Sequence, residues 1–260
     1  MRPFEWIALA YFVALAVLSL LRSLPVSRRI GIVVTSTVIS IAVLILARAE
    51  AEGARDLLPM PLILAGYYLS GLFTLRPSLQ FEGWLLSWDR RVLSNPATRF
   101  AHWPRVVLAP LELIYIGCFL IVPAGALDLS LTSAAPAIVD RYWAMVAAAE
   151  FGSFISLAFI YARPPWALEQ RAALPDRAVH RAATRFVELL TIRANTFPSG
   201  HAAGSVAVAL GVIGASPAVG SALLILAFAI CAAAVIGRYH YTIDVVAGVV
   251  LALVLFAIVR

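Results

Sequence analysis

The sequence predicts an all-α, polytopic membrane helical bundle of about eight spans, counted as apolar runs of roughly 17–22 residues. Three observations predict it. Of the 260 residues, 62% are hydrophobic and only 13% are charged, the composition of a multi-pass helical membrane protein. The apolar residues come in long blocks rather than in alternating stripes. Two polar clusters, Asn195 to His201 and Gly237 to Asp244, stand at the edges of such blocks, where charged and hydrogen-bonding groups are costly unless they have a task.

Taken in order, the first span covers about Trp6 to Leu21 and the second Ile30 to Ala47, joined by the turn from Arg22 to Arg29. A third runs from about Leu57 to Leu75; Pro59 and Pro61 suit its first turn, where a missing amide hydrogen bond costs little. From Arg76 to Arg105 the pattern changes. Phe81, Trp84, Leu85, Trp88, Val92 and Leu93 recur at helical spacing with Glu82, Asp89, Arg90 and Arg91 between them, which predicts a helix lying in the headgroup layer. The fourth span is expected from Val106 to Ala124 and the fifth from about Tyr142 to Ala162. Glu112 and Glu150 fall inside these two spans, so both are expected to face protein or water, in a structural role. The polar stretch from Arg163 to Pro198 predicts an amphipathic helix over Asp176 to Ile192. Three more spans follow, from near His201 to Ala215, Ala218 to Ile236 and Tyr241 to Val259, with no internal repeat and no separate soluble domain.

All 20 basic residues are arginine, and the net charge is +6. Arginine never deprotonates and grips phosphate bidentately, so a basic membrane protein of this kind points to anionic lipid rather than to nucleic acid. Cys118 and Cys231 lie within apolar segments, without a second cysteine or histidine at a metal-ligand spacing, and read as small buried hydrophobes. The N-terminal apolar run is long and lacks a small-residue cleavage site, so it reads as a span rather than a leader.

With eight spans, parity brings three loops to one membrane face: Arg163 to Trp166, Pro198 to His201, and Arg238 to Asp244. His240 and Asp244 are four residues apart at a helix start and therefore share a face. A carboxylate there fixes the imidazole tautomer and leaves the other ring nitrogen free as a nucleophile. Ser199, Gly200 and His201 open the sixth span, beside free backbone N–H groups and the positive end of the helix dipole, an arrangement that binds phosphate. Arg163 and Arg238 would add cationic forks for the charge that develops in phosphoryl transfer.

These residues resemble the type-2 phosphatidic acid phosphatase superfamily of membrane phosphatases and phosphotransferases, whose pattern is Lys-x6-Arg-Pro, Pro-Ser-Gly-His and Ser-Arg-x5-His-x3-Asp. Arg163-Pro164 matches the end of the first element, Pro198 to His201 the whole of the second, and His240 with Asp244 the end of the third. The resemblance covers residues 57–260 as a six-span core, with interfacial segment 76–105, and leaves 1–56 as two additional N-terminal spans. It implies that His240 attacks phosphorus, Asp244 orients it and His201 protonates the leaving oxygen. Ser199, the Gly200 amide and Arg163 would hold the phosphate, and no metal or other cofactor would be required. Two positions depart from the pattern: the family lysine falls on Ser156 and the family arginine on Ala234, with Arg238 a possible replacement for the latter.

The expected function is cleavage of a phosphate ester from a lipid or isoprenoid phosphate through a phosphohistidine. The run from Tyr239 to Asp244 is also similar to the sphingomyelin-synthase and inositol-phosphorylceramide-synthase branch, which makes a phosphodiester headgroup transferase the alternative. A non-catalytic anion-binding protein or lipid transporter is a third reading, but it has no use for an oriented nucleophile. The expected setting is a bacterial cell membrane, with oligomeric state left open. Fifteen arginines fall on the motif face and five, Arg2, Arg48, Arg55, Arg141 and Arg260, on the other, so the positive-inside rule predicts a cytoplasm-facing site.

Overall fold

The computed structural model describes residues 1–49, 52–168, 185 and 189–259. The helices are α1 (Pro3–Leu21), α2 (Val26–Leu46), α3 (Glu52–Leu57), α4 (Pro59–Gly71), α5 (Leu79–Leu93), α6 (Pro96–Ala101), α7 (Arg105–Ile116), α8 (Ile121–Leu131), α9 (Pro136–Phe154), the single turn α10 (Pro165–Leu168), α11 (Gly200–Ile213), α12 (Pro217–Ile236) and α13 (Thr242–Ile258). Among the described residues, α1, α2, the stretch 105–131 and α12 are long and apolar enough to cross a membrane, and α11 and α13 are shorter apolar helices. Val34, Ile45, Leu120, Ile225 and Val250 all point outward and are exposed, which is favourable in lipid and not in water. The chain is a multi-pass helical membrane protein.

Helices α9 and α11 form the centre of the bundle. Tyr142, Trp143, Met145 and Val146 on α9 and Ala203, Ala207, Val208 and Val212 on α11 are fully buried. Small residues along α11 let α9, α12 and α13 close on it; a Cβ on Gly211 would stand 2.9 Å from the Tyr142 ring. The first span belongs to this core: Tyr11 stacks on Phe151 of α9 at 4.3 Å and its hydroxyl donates to the Gly66 carbonyl. Helix α2 packs on α1 and is otherwise largely exposed.

The expected fourth span runs on to Leu131, its register absorbed by Pro110 within α7 and a 3-10 turn at Gly117–Leu120. The headgroup segment forms α5 and α6. Glu82, Leu85 and Asp89 form the buried stripe, while Leu79, Trp84 and Val92 are exposed. Glu112 is buried as expected. The helix expected over Asp176 to Ile192 lies, apart from residues 185 and 189–192, outside the described residues.

Contacts identify the two ends of the bundle. Arg22 donates to the Phe159 carbonyl and Arg28 to the carbonyls of Leu72 and Thr74, so the α1–α2 turn shares an end with the Arg163 loop. At the opposite end Arg2 pairs with Asp56, Arg55 with Glu5, and Arg141 donates to the Val259 carbonyl.

Candidate active site

Backbone hydrogen bonds join the three motif loops. Asn195 N–H donates to the Ala162 carbonyl at 2.8 Å, Trp166 N–H to Arg238 at 3.0 Å, and Ser199 N–H to Asp244 at 2.9 Å. The Tyr241 hydroxyl donates to the Arg163 carbonyl at 2.8 Å.

Helix α13 begins one residue after Tyr241, and Asp244 caps its start by accepting from Tyr241 N–H at 3.3 Å. The same carboxylate oxygen lies 3.4 Å from His240 Nδ1 and accepts from the Asn195 side-chain amide. Asp244 is fully buried and His240 is 5% exposed. His240 Nε2 lies 3.2 Å from His201 Nδ1. With Asp244 ionised, His240 Nδ1 is the donor to it, so Nε2 carries the lone pair and His201 Nδ1–H is the donor between the rings. His201 is itself walled by Tyr115 and Phe119, at ring separations of 5.2 and 5.7 Å.

The structure therefore brings His240, His201 and Asp244 together. Gly200 stands beside them, its N–H donating to Thr196 Oγ1 at 3.2 Å. Ser199, expected to hold phosphate, is fully buried and its hydroxyl caps α11 by accepting from Ala202 N–H. The two expected cationic forks are committed to carboxylates of α5. Arg163 makes a bidentate pair with Glu82, both bonds 2.9 Å, and its backbone N–H donates to the same carboxylate. These bonds hold the Glu82 carboxyl below its ordinary range and raise Arg163. Arg238 pairs with Asp89 at 2.9 Å with both side chains 1% exposed, and Asp89 also accepts from Thr242 N–H at the start of α13.

A cavity of about 340 Å³ holds the two imidazoles. It runs along α11 from Gly200 and His201 to Ser205, with Met60, Ile63 and Leu64 of α4 and Val122 of α8 among its apolar walls. Neither Arg163 nor Arg238 lines it; Arg193 does. Arg193 is held at φ 54°, a left-handed conformation that costs a residue other than glycine about 1–3 kcal/mol. Sequence reasoning missed Arg193 and left Asn195 without a role. The available signal was that both stand within six residues of the Pro-Ser-Gly-His run. At the two departures from the family pattern, the Ser156 hydroxyl accepts from Phe197 N–H, and the Ala234 carbonyl accepts from the N–H groups of Tyr239 and His240.

The family model described as the PAP2 superfamily matches residues 139–260, a stretch that contains all three motif loops. No curated protein and no solved structure matches the chain. Residues 139–260, a little under half of the chain, are thus what the chain shares with the PAP2 superfamily.

Proposed function

We propose that this membrane phosphatase-type enzyme cleaves the phosphate ester of a lipid or isoprenoid phosphate through a covalent intermediate on His240. The observation that carries the reading is the placement of His240 Nε2, backed by Asp244 and facing His201 inside a largely apolar cavity. An anion-binding protein or transporter would need the cations but not this orientation of a buried imidazole.

In the resting site, His201 Nδ1–H occupies the lone pair of His240. A phosphoryl group entering between the rings takes that place. Nε2 of His240 then forms a bond to phosphorus as the ester P–O bond breaks, and the proton on His201 Nδ1 passes to the departing alkoxide. Asp244 stabilises the imidazolium character that develops on His240, and Asn195 holds the carboxylate in place. Water then attacks the phosphohistidine, gives its proton to His201, and the P–N bond breaks. Arg193 and the start of α11 offset the charge on the phosphoryl oxygens. Arg163, 42% exposed beside the cavity-lining Pro164, adds positive potential from its pair with Glu82, and Arg238 acts through Asp89 as a scaffold. The apolar walls take the lipid chain, in a volume within the range of about 300–1,000 Å³ typical of ligand pockets.

The test is brief incubation of the purified protein with a ³²P-labelled lipid phosphate followed by alkaline denaturation. Alkali-stable, acid-labile label on the wild type and none on His240→Ala is the expected result. Label that survives His240→Ala in correctly folded protein overturns the assignment. The alternative expected from the sequence, transfer of a phosphorylated headgroup, shows itself as a new phosphodiester when a phosphodiester lipid donor is supplied together with inositol or a lipid alcohol.

A further inference from the structure

Glu150 is not used by the chemistry above, yet it lines the same cavity as His201 and His240. It projects from near the C-terminal end of α9, is partly buried, and lines the cavity. Among the described residues no donor or cation reaches its carboxyl. The side chain is accommodated by two glycines one turn apart on α11: a Cβ on Gly204 would overlap Oε1, and one on Gly200 would stand 3.1 Å from Oε2. A bulkier residue at either place would push the carboxyl aside. A carboxyl drawn out of bulk water without a partner is costly in either protonation state, because its hydrogen-bonding capacity is left unmet. Such a group belongs in a cavity only if what enters the cavity satisfies it.

The position of the carboxyl says which part of an entering molecule it would meet. Oε2 lies against Gly200, whose chain neighbour His201 faces the nucleophile, so the partner stands within a few bonds of the phosphate ester rather than far along the hydrocarbon. We infer that Glu150 is a specificity residue that hydrogen-bonds a hydroxyl or amide on the lipid backbone next to the phosphate. The preferred substrate is then a lipid phosphate with a polar backbone, of the glycerol or sphingoid type. A polyprenyl phosphate, which offers only hydrocarbon there, would leave the carboxyl unmet. This inference rests on the lipid phosphatase reading and names its substrate class.

A matched pair tests it: 1-oleoylglycerol 3-phosphate and the analogue lacking the 2-hydroxyl. The full chain in detergent is expected to turn over the hydroxyl-bearing lipid with at least tenfold higher kcat/KM. Glu150→Leu should bring the two lipids within about twofold of each other, and Glu150→Gln, which can still hydrogen-bond, should keep part of the preference. The same preference is expected in binding to His240→Ala, measured by competition with a fluorescent lipid. Equal handling of the pair by the wild type in both assays overturns the inference, as does a loss in Glu150→Leu that is the same for both lipids while the thermal transition is unchanged. A binding preference that depends on Glu150, with no turnover of either lipid by the wild type, would uphold the role of Glu150 and overturn the phosphatase reading.

Discussion

The Asp89–Arg238 pair separates two roles for Arg238, phosphate ligand and scaffold. Both side chains are 1% exposed and the ions are 2.9 Å apart. Removing one partner from such a pair costs about 3–5 kcal/mol, because the other charge stays buried without its counterion. Asp89→Leu also takes the acceptor from Thr242 N–H, a further loss of about 1 kcal/mol. The total is about 4–6 kcal/mol, which at about 2–4 °C per kcal/mol for a chain of this size lowers Tm by about 10 °C or more. Arg238→Met alone should be damaging for the same reason. In the double variant Asp89→Leu, Arg238→Met both charges leave together and their places are filled with apolar groups of similar volume, so most of the stability returns. Thermal unfolding of the detergent-solubilised protein, together with initial rates of phosphate release, reads both quantities. If Arg238 is a scaffold, the double variant recovers activity to within about tenfold of wild type. A double variant that is as stable as wild type but slower by the factor of about 10²–10³ expected for loss of a group that stabilises the transition state would refute the scaffold role.

Four further outcomes are expected. Arg193→Ala should lower kcat/KM by about 10²–10³, and Arg193→Lys should recover only part; a change below threefold in folded protein would remove Arg193 from the phosphate site. Asn195→Leu should lower kcat by about tenfold or more while KM stays within about twofold, since the amide holds Asp244 and not the substrate; a change confined to KM would contradict that. Because Arg163 depresses the folded-state pKa of Glu82, the pair contributes stability above the ordinary carboxylate value of 4.5 and loses it as the pH falls through the lower folded value. The Tm gap between wild type and Glu82→Gln should therefore shrink below pH 4.5, and a gap constant from pH 7 to 3 would show that the pair does not stabilise the fold. Finally, the arginine bias predicts a cytoplasm-facing site: with Cys118 and Cys231 replaced, an impermeant thiol reagent applied to intact cells should label Ser133→Cys, in the exposed turn after α8, and spare Ser27→Cys, exposed at the start of α2, and the opposite pattern places the site outside.

The helices were legible because long apolar blocks leave few alternatives, His240 and Asp244 because they stand four residues apart at a helix start, and His201 because it closes the run Pro198 to His201. What was not legible depends on partners far away in the chain. Arg163 and Arg238 stood beside the motifs and were expected to meet phosphate. Their carboxylates come from a helix that begins before residue 90, and Arg163 meets Glu82 across 81 residues. Asn195 meets Asp244 across 49. Arg193 reaches the cavity through a left-handed backbone conformation that no residue type advertises. The headgroup helix shows the same limit: its helical spacing was legible, but the inward turn of Glu82 and Asp89 was not, because the arginines that meet them lie far along the chain.

The buried carboxylates of α5 bear on how the site sits in its membrane. Through Glu82 the headgroup helix holds the Arg163 loop, and through Asp89 it holds both Arg238 and the first turn of α13, which carries Asp244. Its outward residues, Leu79, Trp84 and Val92, are exposed and have the character of an interfacial anchor. The depth of this helix in the headgroup layer is thus mechanically tied to the depth of His240, three residues from Arg238's neighbour Gly237 and one turn from Asp244. On the proposed function, a lipid phosphate resting in the same layer would meet His240 at its own level, with its chain against the cavity walls from α4 and α8.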